Sequence, residues 1–145
     1  MTGNGERLTD GRRASASSDE TESGHLGILL TGAPFDSQRW RTGYELGRAA
    51  LDAGHEVSYF AYLDGAYVPV ADQELPGCAD EGLFDSMPTE KYQELLDSGA
   101  TLICCGLCVN ARGIDGETDY PEGVELGLLP DLADILGDAD RVISL

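Results

Sequence analysis

Three short, almost wholly apolar runs, separated by segments of helical period, constrain this chain more than any other feature. Residues 26–32, Leu-Gly-Ile-Leu-Leu-Thr-Gly, are bounded by glycine and are long enough for a buried strand but not for a helix. Asp36 or Ser37 can then cap a helix in which Trp40, Tyr44, Leu46, Gly47 and Leu51 keep helical spacing until Gly54 offers a left-handed stop. Residues 55–63, rich in aromatic and branched side chains, read as a second strand, and residues 100–105 as a third. Between these two strands, Gly65, Pro69, Pro76, Gly77 and Gly82 predict a short helix over 66–71 followed by irregular loop. Residues 89–98 then form a helix with Tyr92, Leu95 and Leu96 inward, ended by Gly99. Past the third strand, the pattern predicts a short helix over 106–111, a brief strand over 124–127, a helix from Pro130 through Leu136 and a closing strand over 141–145.

Strands that are apolar on both faces and alternate with helices belong in a parallel sheet covered on both sides. The expected fold is therefore α/β, a flavodoxin-like three-layer sandwich with a mainly parallel five-stranded sheet, formed as one domain over residues 25–145. Residues 1–24 hold only Met1 and Leu8 as large apolar side chains, too little burial to offset the entropy of ordering, and read as a disordered acidic and polar tail. The tail has no apolar core of a secretory signal, and its acidic residues are foreign to a transit peptide, so a cytoplasmic protein is expected. In open parallel sheets reactive residues gather outside the carboxyl ends of the strands, beside the reversal of strand order. That rule brings segments 32–37, 63–67 and 105–113 to one edge.

Charge removes whole classes of partner. Nine Lys and Arg against 27 Asp and Glu give a net charge of −18, which repels a phosphate backbone or an anionic membrane surface. The apolar run 26–30 is far short of the ~20 residues that span a bilayer. Lys91 is the single lysine, and so acidic and lysine-poor a surface suggests a halophile-like adaptation to a salt-rich cytosol. In molar salt the Debye length falls to ~3 Å and carboxylate repulsion is screened.

The chemistry concentrates in the thiols. Of four cysteines, three crowd together as Cys104, Cys105 and Cys108, which is unlike a disulfide framework and more like thiols with reactions to perform. Cys105-Gly-Leu-Cys108 falls where the third strand gives way to a helix, and a helix start stabilises a thiolate. Arg112, one or two turns on, could supply positive charge near a sulfur anion, and the amides of Gly106 and Leu107 could donate to it. Free cysteine is also a small buried hydrophobe that can end a strand, a reading that applies to Cys104 above all. Cys78, in a Pro/Gly loop, reads as incidental, and Asp64 and Tyr67 read as a turn residue and a packed aromatic. No second thiol pair completes a metal shell; Cys78 and His55 are the extra candidates, and no metal or cofactor is expected. Residues 115–119 resemble a calcium loop only until Tyr120 takes the glycine position and Leu126 the glutamate position. Residues 31–34 have neither a Walker lysine nor a dinucleotide glycine spacing.

The run 103–113, a strand end followed by Cys-Gly-x-Cys-x-x-Ala-Arg-Gly, is similar to the cysteine motif of DsrE-like proteins. Residues 27–32 with the capped helix after them, Gly54-His-Glu-Val57 leading to Phe60, Asp64-Gly-Ala-Tyr67, and Gly123-Val-Glu-Leu-Gly127 followed by Pro130-Asp-Leu132 resemble that family's landmarks in order and spacing. The resemblance covers the chain from about residue 26 onward. It implies a sulfur-relay domain, a homo-oligomer (trimer or hexamer) or an assembly with sister DsrE-like subunits, that exchanges sulfur with donor and acceptor proteins. In the family's carriers, including the TusD-like members, the cysteine seven residues before the Arg of the Arg-Gly pair takes up sulfane sulfur as a persulfide. Here that position is Cys105, with Cys108 as a second thiol able to resolve the persulfide or share its sulfur. The competing readings are a dithiol redox protein using Cys105 and Cys108, and a non-catalytic oligomeric scaffold in which the thiols are simply packed.

Overall fold

The computed structural model describes residues 23–73 and 86–145. The tail expected over 1–24, apart from Ser23 and Gly24, lies outside the described residues, as do Cys78 and most of the expected irregular loop. In chain order the elements are β1 (His25–Leu30), α1 (Arg39–Asp52), β2 (Glu56–Ala61), a 3-10 helix (Leu63–Tyr67), α2 (Pro88–Asp97), β3 (Thr101–Cys105), α3 (Gly106–Ala111), β4 (Glu125–Gly127), α4 (Leu129–Asp138) and β5 (Arg141–Ser144). The five strands form one sheet in the order β4-β3-β2-β1-β5, and every pairing is parallel. The expected α/β sandwich with a parallel five-stranded sheet is the fold observed.

Strand register assigns the side chains to two faces. Ile28, Tyr59 and Leu102 lie abreast on neighbouring strands, and the Tyr59 hydroxyl donates to the carbonyl of Gly43 in α1 at 2.7 Å. Tyr92 of α2 donates to the carbonyl of Trp40 at 2.6 Å, so two buried phenols tie both helices to this face. Each hydroxyl reaches a polar partner, which is the condition for burying tyrosine without loss. On the other face, Gly27 lets α4 come so close that a Cβ there would stand 3.1 Å from Ile135 Cγ2. Asp131 caps α4 by accepting the Leu128 N–H at 2.8 Å.

Three local expectations differ from what forms. Neither Asp36 nor Ser37 caps α1; the helix starts after Gln38, and Ser37 Oγ merely accepts the Arg39 N–H at 3.5 Å. The helix expected over 66–71 is a 3-10 turn placed earlier, at Leu63–Tyr67, because Pro69 has no N–H with which to carry a helix on. Strand order reverses between β1 and β5, two strands away from β3, so the thiol segment stands at the carboxyl edge of the sheet but not beside the reversal.

Candidate functional site

The carboxyl ends of β1, β2 and β3 gather the residues that carry chemistry. Cys105 is the last residue of β3 and the N-cap of α3, with φ −66° and ψ 117°, so the chain turns from strand to helix at this sulfur. Gly106 and Leu107 follow as the first helical residues. Leu107 is 67% exposed, whereas Cys105 is 2% and Cys108 7% exposed. The expected partly exposed acceptor sulfur is therefore a buried one, at a strand end packed against the 3-10 helix.

The 3-10 helix is pressed onto β1 at Gly65, where a Cβ would stand 2.0 Å from the Leu30 carbonyl oxygen. Only glycine fits that approach. The turn opens with Leu63 in the left-handed region, φ 55°, a conformation that costs a non-glycine residue on the order of 1–3 kcal/mol. This conformation aims the Leu63 N–H at Cys108 Sγ, 3.1 Å away. The next residue, Asp64, accepts from Arg112 Nε at 2.8 Å, and Arg112 Nη1 donates to the Cys108 carbonyl at 3.2 Å. Arg112 thus clamps the end of α3 to the 3-10 turn, and its charge bears on Cys108.

The thiols differ in their electrostatics. Burial pushes Cys104 from the ordinary 9.0 up to about 12, with a hydrogen bond shared with Tyr120 pulling the other way. Tyr120 gives its one hydroxyl proton to the Ala66 carbonyl at 2.7 Å, so its oxygen accepts from Cys104, which is buried as a neutral thiol. Cys108 is raised as well, first by burial, while the Leu63 N–H and the Arg112 charge favour its anion. A hydrogen bond to Cys105 also holds the proton on Cys108. Cys105 and Cys108 are thus in contact.

The structure brings together Cys105, Cys108, Gly106, Leu107 and Arg112, and adds Asp64, which pairs with Arg112 instead of serving as a plain turn residue. Among the described residues, the backbone donor aimed at a sulfur belongs to Leu63, not to Gly106 or Leu107. Sequence reasoning missed Leu63 and Tyr120. A leucine in left-handed conformation leaves no compositional mark, and Tyr120 stands sixteen positions beyond the thiol it bonds, across an acidic loop.

Comparison with known proteins agrees with this picture. Residues 24–145 match the DsrE/DsrF-like family. An uncharacterised protein of Methanopyrus kandleri is 30% identical over 118 residues, 80% of this chain and 89% of its own length. One from Methanocaldococcus jannaschii is 30% identical over 123 residues, 81% of this chain and 96% of its own. The crystal structure of the YchN protein from E. coli superposes with a TM-score of 0.66 at 21% identity, over 84% of this chain and 99% of that one. A protein of unknown function from Methanobacterium thermoautotrophicum superposes with a TM-score of 0.60 at 17% identity, over 86% of this chain and all of that one. Both superpositions concern the fold.

Proposed function

This chain belongs to the DsrE/DsrF-like family, and on that premise we propose that it is a sulfur carrier, taking up sulfane sulfur as a persulfide on Cys105 and passing it to a protein thiol. The observation that carries the reading is the Cys105 and Cys108 contact at the end of β3, backed by the Leu63 amide and the Arg112 guanidinium. In loading, the Cys105 thiolate attacks the outer sulfur of a donor persulfide. The new bond joins Cys105 Sγ to that sulfur, the donor's own S–S bond breaks, and the donor leaves as a thiolate that takes up a proton. In unloading, an acceptor thiolate attacks the outer sulfur and Cys105 leaves as thiolate. Cys108 can also attack the inner sulfur, releasing sulfide and closing a Cys105–Cys108 disulfide.

A sulfur 2% exposed cannot meet a donor without local opening. The short α3, with Leu107 exposed in its first turn, forms the part of the edge where a docking donor would gain apolar contact while uncovering Cys105. The carrier would act as a homo-oligomer, trimer or hexamer, or beside sister subunits; exposed Leu126, Leu128 and Leu129 at the outer strand β4 supply apolar surface for such contacts. No described helix is long and apolar enough to cross a membrane.

Two specific observations favour other readings. The thiol contact would serve a dithiol redox pair, and the burial of Cys104, Cys105 and Cys108 would suit a scaffold with packed thiols. A single-turnover transfer assay separates the three. Protein charged with labelled sulfane sulfur should deliver it to an added acceptor thiol, with Cys105→Ser delivering none and Cys108→Ser still delivering. Disulfide reductase activity without sulfur delivery would replace the proposal with the redox pair, and neither activity would leave the scaffold.

A further inference from the structure

Both histidines of the chain, His25 and His55, lie at the amino edge of the sheet, the end opposite the thiols. His25 opens β1 and is only 8% exposed. Its Nε2 lies 2.8 Å from Ser58 Oγ, and its Nδ1 lies 2.7 Å from Asp138 Oδ2 at the end of α4. Glu56 stands directly beside His25 in the β1–β2 register. One donor atom each from His25, Glu56 and Asp138 lies within 4.8 Å of the others. A groove of about 600 Å3, lined by His25, Asp131, Asp134 and Asp138, opens onto this cluster.

We propose that His25, Glu56 and Asp138 form a binding site for a divalent transition cation of the zinc type. A neutral imidazole ligates well when its second nitrogen is held by a hydrogen bond that fixes tautomer and ring direction. Ser58 is buried and supplies that bond, because a hydroxyl accepts from Nε2–H as readily as it donates to a bare nitrogen. Nδ1 then presents its lone pair toward Asp138. In the metal-free chain Nδ1 and the Asp138 carboxylate share a hydrogen bond, which the cation would replace.

The neighbouring polar groups are already committed. Asp140 accepts the His25 backbone N–H at 2.8 Å, and His55 Nδ1 accepts the Gly24 N–H at 2.9 Å. The three remaining ligands, one imidazole and two carboxylates, neutralise a divalent ion and leave a fourth tetrahedral position open. A tetrahedron with bonds of about 2.1 Å sets its donors ~3.4 Å apart; the Asp138 side chain, 73% exposed, can back away from its 2.7 Å contact with Nδ1, and exposed Glu56 can swing in to admit the ion. The mix of nitrogen and oxygen donors suits zinc better than calcium or magnesium. Sequence spacing hides the site, because His25 and Asp138 are 113 residues apart.

The test is isothermal titration of the whole reduced chain with Zn2+, repeated on Glu56→Gln, Asp138→Asn, Ser58→Ala and the double variant Cys105→Ser/Cys108→Ser. The expected result is one Zn2+ per chain, kept in the double cysteine variant. Ser58→Ala should weaken binding about 10–100-fold, as loss of an outer partner does, and Glu56→Gln and Asp138→Asn should weaken it at least as much. Glu56 and Asp138 are exposed, so metal-free melting curves of these two variants should match the native one and separate lost ligation from lost fold. Binding that survives both carboxylate variants, binding abolished only by the cysteine variant, or no stoichiometric uptake would each overturn the site.

Discussion

At the scale of single residues, the three thiols share a neighbourhood but not a role. Cys104 points into the packed pocket with Tyr120, and burial holds its proton up to about 12. Tyr44 is likewise raised to about 12, first by the hydrogen bond it donates to Glu94 at 2.6 Å. Both groups keep their protons in the folded chain at pH values where the unfolded chain has released them. Their contribution to stability is therefore full below about pH 9 and is lost as pH rises through about 12. Equilibrium urea unfolding followed from pH 8 to 11 should show the midpoint falling steadily above pH 9; a flat profile would contradict these assignments. The sequence made Cys105 legible, because a strand end, a Cys-Gly step and an Arg seven places on can be read along the chain. Leu63 was not legible, since its contribution is one amide direction set by a positive φ that the fold imposes.

At the scale of elements, the strands were readable because each is apolar through its length, and α3 because glycine and cysteine mark its start at the end of β3. The return of β5 to the far side of β1 was not readable, because its pairing with residues more than a hundred positions earlier depends on α4 crossing the opposite face. The 3-10 turn was half readable: Gly65 flagged a turn, but not that the turn had to lie against the Leu30 carbonyl. That contact yields a sharp expectation. Gly65→Ala places a methyl against backbone that cannot swing aside, and should cost roughly 3 kcal/mol, at the upper end of overpacking effects. It should also lift the Leu63 amide off Cys108, so that Cys108 alkylates at a different rate from native even at a denaturant concentration where both proteins remain folded. Unchanged stability and unchanged thiol kinetics would show that the turn is not seated as described.

At the scale of the whole molecule, charge and site pull in different directions. With nine basic residues against 27 acidic ones, at least 18 carboxylates have no cationic side chain to pair with. The described ion pairs formed by arginine, Arg41 with Glu45, Arg48 with Asp52 and Arg112 with Asp64, involve exposed partners worth at most about 1 kcal/mol each. Screening the remaining repulsion is then the larger effect, and the melting temperature should climb between low salt and molar KCl. A melting temperature indifferent to KCl would remove the proposed salt adaptation. The same acidity would favour sulfur donors and acceptors that present basic surface around their reactive thiols. Sulfur carriage by Cys105 is measured most directly by loading the reduced chain with a cysteine desulfurase and cysteine, trapping it by alkylation, and locating the added sulfur by tandem mass spectrometry of the peptide holding Cys104, Cys105 and Cys108. One extra sulfur atom is expected on Cys105, absent from Cys105→Ser and retained in Cys108→Ser. An extra sulfur confined to another cysteine, or none with any donor, would contradict it.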